Sequence, residues 1–128
     1  MARVLLLTGD LLFGSNLQGA LTAAGHSVEL LADGPRLERA LSDPAPGPPQ
    51  LLVIDLTDPA LAGAEVYASL PEQARLLPSL GFHSHVDPAS REQGEAAGIC
   101  QVVPRSRMAR EAPALVERLL ARAPVPGA

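Results

Sequence analysis

The hydrophobic pattern of this chain alternates short apolar runs with longer amphipathic stretches. The apolar runs predict five strands, at about 3–8, 27–32, 51–55, 78–83 and 99–103. Several are apolar at every position, which is typical of strands covered on both faces. The intervening stretches predict helices near 12–24, 35–42, 60–70, 88–97 and 108–122. This alternation predicts an α/β domain, built on a single doubly wound, five-stranded parallel sheet with helices on both faces.

The size and composition of the chain predict one domain with an aliphatic core. Its 128 residues can bury one core but are too few for two domains. Apolar residues make up 47% of the chain, with no Trp, one Tyr and two Phe, so Leu, Val and Ala must fill the interior. We assign residues 1–122 to this domain and residues 123–128 to a flexible C-terminal tail.

Charge and hydropathy exclude some classes of protein. The net charge is −4 and no basic stripe is interleaved with aromatic residues, so we expect no nucleic-acid partner. No apolar run approaches the ~20 residues that span a bilayer, and no secretion signal opens the chain, so we expect a cytoplasmic protein without a membrane partner. The single cysteine, Cys100, fits a reducing compartment, and we expect it to be a small buried residue of the last strand.

Three segments combine an apolar strand with a polar loop in a specific order. They are residues 3–7 with the later segments 23–28 and 32–34, residues 52–59 closed by Gly63, and residues 95–98 with the last strand and Pro104-Arg105-Ser106. In this order they resemble the receiver domain of bacterial response regulators, over nearly the whole chain. The resemblance implies a flavodoxin-like, receiver-like fold with strand order 2-1-3-4-5, and a role in signal transduction without enzymatic activity.

The resemblance also implies where the functional residues lie. Receivers place an acceptor aspartate after the third strand, an acidic pair that holds Mg²⁺ after the first, a hydroxyl residue after the fourth and a lysine after the fifth. The acceptor position falls on Asp55. The acidic pair falls on Thr8 and Gly9, with Asp10 one step beyond. The position of the hydroxyl residue falls on His83, with Ser84 beside it, and the position of the lysine falls on Arg105.

The acceptor aspartate is thus present while most of its supporting residues are replaced. With one carboxylate besides Asp55, the magnesium site is short of charge, and Arg105 is not equivalent to lysine. The resemblance therefore predicts a pseudo-receiver with no catalytic residue, not phosphorylated in the ordinary Mg²⁺-dependent way and needing no cofactor. We expect an unmodified Asp55 that either pairs with Arg105 or caps a loop.

Receivers commonly act through one surface, and the resemblance assigns it here to the predicted helix 88–97, strand 99–103 and helix 108–122. We expect homodimerisation or docking of a partner protein on this surface. It would include Arg91, Arg107, Arg110 and the apolar edge of the last helix.

Two other functions remain open. The first is a phosphorylatable stand-alone response regulator that uses Asp55 and Mg²⁺. The second is a small Rossmann-like nucleotide-binding domain, because Gly9 and Gly14, with Asp33 further on, resemble the start of a short-chain dehydrogenase or sugar-nucleotide epimerase. That fingerprint lacks its middle glycine, and the chain contains no lysine for a Tyr-x-x-x-Lys pair.

A metal site is a weaker hypothesis. His83, His85 and Asp87 follow the fourth strand, on the same edge as Asp10 and Asp55, and together they could ligate a metal ion if their side chains converged. The pair Asp87-Pro88 also suits a helix N-cap followed by the first helical residue. We therefore predict no metal site and a capping role for Asp87.

Overall fold

A computed structural model of the protein describes residues 2–44, 47–84 and 86–122. Five parallel strands form one sheet in the order β2-β1-β3-β4-β5, which confirms the predicted fold class and strand order. The strands are β1 (Arg3–Leu7), β2 (Ser27–Leu31), β3 (Leu51–Asp55), β4 (Ser79–His83) and β5 (Gln101–Pro104). The predicted tail, residues 123–128, lies outside the described residues.

Six helices connect and follow the strands in this part of the chain. They are α1 (Leu11–Ala23), α2 (Gly34–Ser42), α3 (Gly63–Ala68), α4 (Glu72–Arg75), α5 (Pro88–Ala97) and α6 (Arg105–Arg122). The helix predicted near 60–70 corresponds to the shorter α3, and the short α4, which follows Pro71, was not predicted. Helix α3 starts at Gly63, because its N-cap, Ala62, has a left-handed backbone conformation.

The sheet separates two apolar layers. The layer beneath α1 and α6 contains Leu17, Leu21, Leu115 and Leu119 with the side chains of Val4, Leu6, Val53, Leu80 and Phe82. The layer beneath α2, α3, α4 and α5 contains Leu37, Tyr67 and Ala74 with Leu5, Leu7, Leu52 and Ile54. Every residue of β1 and β3 is buried, as expected for central strands of a parallel sheet.

The last third of the chain has the predicted helix, but the expectation for Cys100 is wrong. Helix α6 starts at Arg105, close to the predicted start near residue 108, and the apolar residues on one side of it are buried against the sheet. Cys100 is exposed, because it lies in the bend before β5, where its N–H donates to Ser79 Oγ at 2.9 Å. The sequence pattern shows that the region is apolar but does not reveal which residues leave the strand.

The buried Arg3 organises the amino edge of the sheet. Its guanidinium donates to Glu29 Oε1 at 2.8 Å and to the carbonyls of Asp43 and Gly47 at 2.8 and 2.6 Å. Arg3 is 5% exposed, and a buried charge of this kind is tolerated when it is paired and fully hydrogen-bonded. The cluster ties β1 to β2 and to the proline-rich connection that leads into β3.

Backbone conformation and close backbone packing determine which residues fit in the turn after β3. Ala62 adopts a left-handed conformation (φ 52°, ψ 51°), which costs a non-glycine residue about 1–2 kcal/mol. Next to it, a Cβ added to Gly63 would overlap the backbone carbonyl oxygen of Asp55. Only glycine therefore lets α3 begin this close to the end of β3, and this closure brings the loop 56–62 over the carboxyl edge of the sheet.

We predict that Gly63→Ala lowers the free energy of unfolding by about 3 kcal/mol, because the new methyl group meets fixed backbone. Gly9→Ala is a matched control, since a Cβ there lies 3.6 Å from Asp58 Oδ2, an ordinary contact. Urea denaturation measures both. Equal effects of the two substitutions would contradict the proposed close approach.

Candidate functional site

The carboxylate of Asp55 lies at the carboxyl edge of the sheet, where parallel α/β folds place functional groups. It is 1% exposed, and hydroxyl groups surround it. Oδ2 accepts a hydrogen bond from Thr8 Oγ1 at 2.7 Å. Oδ1 accepts two, from the Thr57 N–H at 2.7 Å and from Thr57 Oγ1 at 2.6 Å. Both oxygens of this buried carboxylate are therefore engaged by short, charge-assisted hydrogen bonds.

Of the two roles expected for Asp55, the structure has the loop cap and not the pair with Arg105. Asp55 closes the turn at Thr57, and among the described residues Arg105 pairs with Asp10 instead. Thr57 is the residue that our sequence analysis missed. The signal was present in Asp55 itself, because an Asp side chain often accepts a hydrogen bond from the backbone N–H two residues further on, which forms an Asx-turn.

Arg105 connects the two ends of the site. Its Nη2 lies 2.8 Å from Asp10 Oδ2, and its guanidinium carbon lies 4.2 Å above the ring centroid of Phe13. Phe13 in turn packs on Phe82, with ring centroids 5.1 Å apart. The cation is thus held by a carboxylate and an aromatic face together. The stacking on Phe13 could not be deduced from sequence, since the two residues are 92 positions apart (105 − 13).

Asp10 also caps helix α1, accepting from the Phe13 N–H at 3.0 Å. This hydrogen bond first, and then the Arg105 guanidinium, lower the pKa of the Asp10 carboxyl below its ordinary value. Both interactions favour the charged form. Asp10 is therefore a capping and pairing residue in this arrangement.

The residues at the positions of the acidic pair offer few ligands for a magnesium ion. Thr8 offers a hydroxyl that donates to Asp55, and Gly9 offers no side chain. The nearest substitute is Asp58, whose Oδ2 lies 3.6 Å from where a Gly9 Cβ would stand, but its other oxygen caps the turn through the Ala60 N–H. Mg²⁺ requires near-octahedral oxygen ligands and gives up its waters reluctantly, so this donor set fits it poorly.

The loop after β4 holds the remaining predicted site residues. His83 is 5% exposed; its Nδ1 donates to the Ser84 carbonyl at 2.9 Å, and its Nε2 has no hydrogen-bond partner within the described residues. Asp87 caps α5 through the Ala89 N–H, with Pro88 in the first turn, as predicted. His85 lies outside the described residues, and within them no group of three or more His, Cys, Asp or Glu side chains could hold a metal ion.

The glycines behind the nucleotide-binding hypothesis have packing roles. A Cβ at Gly14 would stand 2.9 Å from Thr8 Cγ2 and 3.3 Å from Leu30 Cδ2, so glycine lets α1 lie close to the sheet. The N-terminus of α1, where a pyrophosphate would bind, carries the Asp10 carboxylate. Asp33 caps α2 through the Arg36 N–H at 2.9 Å.

Comparison with known proteins identifies the family. Over 97 residues, 75% of this chain, the sequence is 33% identical to the response regulator protein PmrA of Pseudomonas aeruginosa. The chain is a homologue of response-regulator receiver domains. It spans 42% of the length of that curated relative. No family model matches the chain.

Solved structures establish the same fold for this receiver domain. The receiver domain of the Francisella response regulator 1452 superposes with a TM-score of 0.80 at 17% identity, over 97% of this chain and 100% of that one. The phosphorylated cyanobacterial phytochrome response regulator RcpA gives 0.80 at 17% identity, over 98% and 99%. A CheY-like receiver domain from Methanospirillum hungatei gives 0.78 at 15% identity, over 96% of each chain.

Within the described residues, no helix combines the length and the apolar character needed to cross a membrane.

We predict that Asp10→Asn lowers the melting temperature at pH 7 by removing the charge that pairs with Arg105, while asparagine retains the helix cap. Because the folded-state pKa of Asp10 is depressed, its contribution is present at neutral pH. It is lost as the pH falls below the ordinary value of 3.8 and through the lowered pKa, so wild type and variant converge there. Thermal melts across pH measure this difference in melting temperature.

Asp87→Asn is the control, since Asp87 caps α5 and has no ion pair within the described residues. A gap between wild type and Asp10→Asn that persists in acid would contradict the assignment.

Proposed function

We propose that this receiver domain is an interaction module that works without Mg²⁺-dependent phosphorylation of Asp55. The observation that carries the proposal is the hydroxyl lock on Asp55, namely the three hydrogen bonds from Thr8 and Thr57. A signalling role follows from the family; independence from phosphate is our inference from this geometry.

The lock opposes nucleophilic attack. A carboxylate that receives a phosphoryl group must direct a free oxygen at phosphorus, in line with the leaving group. Here Oδ2 is held by Thr8 and Oδ1 by Thr57, and the group is 1% exposed. Each bond to a charged group contributes roughly 1.5–3 kcal/mol. Releasing an oxygen for attack would cost a comparable amount before the reaction begins.

The positively charged guanidinium at the site, that of Arg105, already has partners. Phosphoryl transfer depends on cations that neutralise the charge on the transferred group. Arg105 is the cationic residue at the family's lysine position, and Asp10 already pairs with it at 2.8 Å while Phe13 stacks against it. A phosphoryl group would have to compete with the Asp10 carboxylate for this guanidinium. Mg²⁺ and Arg105 would therefore both neutralise the charge of a transferred phosphoryl group only weakly.

The Asp10–Arg105 pair fixes the start of α6 relative to the start of α1. It joins the first residue of α6 to the N-cap of α1 across the site, so the start of α6 is held without a phosphate. We therefore place the partner-binding surface on α5, β5 and α6. Its exposed charges occur as local pairs, Arg91 with Glu95 and Arg107 with Glu111.

A phosphorylatable response regulator is the second candidate. The identity of 33% with PmrA favours it, because that relative is a response regulator protein. Under this alternative, Thr8 and Thr57 would rotate away and Asp58 would supply a carboxylate near Gly9.

Intact-mass spectrometry after incubation with acetyl phosphate and Mg²⁺ distinguishes the two candidates. We expect no adduct on the wild-type chain, because both oxygens of Asp55 are hydrogen-bonded and the site lacks the acidic pair. An adduct that is absent from Asp55→Asn would overturn the proposal and support the alternative.

The matched variant restores the acidic pair through Thr8→Asp and Gly9→Asp. Thr8 Oγ1 lies 2.7 Å from Asp55 Oδ2, so an aspartate there faces a second carboxylate and needs a cation. We expect Mg²⁺ to raise the melting temperature of this variant and not that of the wild type. Equal Mg²⁺ responses would contradict the assignment of the defect to residues 8 and 9.

A separate experiment tests the partner-binding surface on α5, β5 and α6, with Arg107 and Arg110 both changed to Glu. Arg110 is 72% exposed in its side chain, so reversing these charges alters the surface without disturbing the core. We expect partners recovered by affinity purification with the wild-type domain to be lost, while the melting temperature changes little. Arg36→Glu on α2 is the control at a distant face, and unchanged binding by the double variant would exclude this surface.

A further inference from the structure

Helix α6 is interrupted near its start. Glu111 has a non-helical backbone conformation (φ −125°, ψ 15°), although the residues on both sides of it are helical. Two residues later, Pro113 has no N–H to donate to the carbonyl of Ala109, so the regular hydrogen-bond pattern is broken at the same point. Proline instead suits the first turn of a helix that begins after Glu111. Helix α6 therefore consists of an entry helix, residues 105–110, and a main helix, residues 112–122.

The core holds these two parts of α6 to different extents. Within residues 105–110 only Met108 is buried, whereas the main helix buries Ala112, Leu115, Val116 and Leu119 in the apolar layer beneath it. A helix of six residues is not stable by itself, so the entry helix depends on contacts with the rest of the protein. Segments with few buried apolar side chains open locally at a lower free-energy cost than the body of a domain.

Arg105 provides the second attachment of the entry helix. Its guanidinium pairs with Asp10 at 2.8 Å and stacks on the ring of Phe13 at 4.2 Å. Both partners lie at the start of α1, which packs on the sheet independently of the entry helix. The entry helix is therefore held by one buried methionine and by the contacts of this one arginine.

The other charged residues of the entry helix pair close to the interruption. Arg107 Nε lies 3.4 Å from Glu111 Oε2, and Arg110 Nη2 lies 3.8 Å from the same oxygen. These ion pairs connect the entry helix to the residue at which α6 is interrupted, and they do not attach it to the sheet. Arg107 and Arg110 therefore move with the entry helix.

We propose that residues 105–110 open as a separate unit at the interruption at Glu111, and that the Asp10–Arg105 pair keeps them closed. Opening displaces Arg107 and Arg110 from the partner-binding surface on α5, β5 and α6, while the main helix stays in place. The carboxyl edge of the sheet thereby controls this surface without a phosphate on Asp55. This consequence rests on the proposed function, whereas the separate opening of the entry helix does not.

Hydrogen–deuterium exchange of the full chain, resolved by residue with NMR, tests the separate opening. After correction for chemical exchange rates, we expect the amide hydrogens of residues 109–111 to exchange at least tenfold faster than those of residues 116–120. The reason is that the entry helix opens without the main helix. Equal exchange of the two groups in the wild type would show that α6 opens as one unit and would overturn the proposal.

Two matched variants test the role of the pair. Asp10→Asn removes the charge that pairs with Arg105 and keeps the cap of α1, so we expect exchange in the entry helix to rise about three- to fivefold. Asp33→Asn is the control, because Asp33 likewise caps a helix, α2, and pairs with an arginine, Arg36. It should leave the entry helix unchanged, since α2 stays folded when the entry helix opens. Equal responses to the two variants would overturn the proposal.

Pro113→Ala tests where α6 opens. Alanine restores an N–H that can reach the Ala109 carbonyl and favours the helix, so we expect exchange in the entry helix to slow to within about threefold of the main helix. Pro88→Ala, in the first turn of α5, is the control and should not change exchange in α6. Unchanged exchange after Pro113→Ala would contradict an opening at Glu111. These measurements need no partner and no phosphate, so their failure is distinguishable from failure of the proposed function.

Discussion

A buried carboxylate that must be hydrogen-bonded is the constraint on which this site depends. Asp55 ends a strand whose every residue is buried, and an unpaired charge there would be prohibitively costly. Related domains can answer this demand with a cation, whereas here hydroxyl groups of Thr8 and Thr57 do so. The same hydrogen bonds that make Asp55 tolerable in the core occupy the oxygens that a phosphoryl acceptor would need free.

The remaining charges of the site follow from that solution. Asp10 caps α1 and pairs with Arg105. Arg105 then lies on Phe13, which packs on Phe82 of the central sheet. The start of α6 is thereby coupled to the start of α1 through side chains alone. In our proposal, this permanent coupling replaces the one that phosphorylation would otherwise create.

Sequence reasoning reached the fold more fully than the site. Periodicity located all five strands, because parallel strands buried on both faces are apolar at every position. It missed the short α4 and predicted that Cys100 is buried in the last strand, since a hydrophobic run does not reveal where the chain turns. The site prediction named Thr8, Asp10, Asp55 and Arg105 and left open whether Asp55 pairs with Arg105 or caps a loop. It did not predict that Arg105 pairs with Asp10 and contacts Phe13, or that Thr57 binds Asp55.

What the sequence by itself determined is local or periodic: the strand pattern, the strand-end position of Asp55 and the cap at Asp87. Only the tertiary structure decided which carboxylate neutralises Arg105. Asp10 and Asp55 lie at neighbouring strand ends, and the choice depends on distances of a few ångströms set by how α6 begins and where Phe13 packs. Such distances arise from contacts between residues far apart in the chain, and no short-range pattern encodes them.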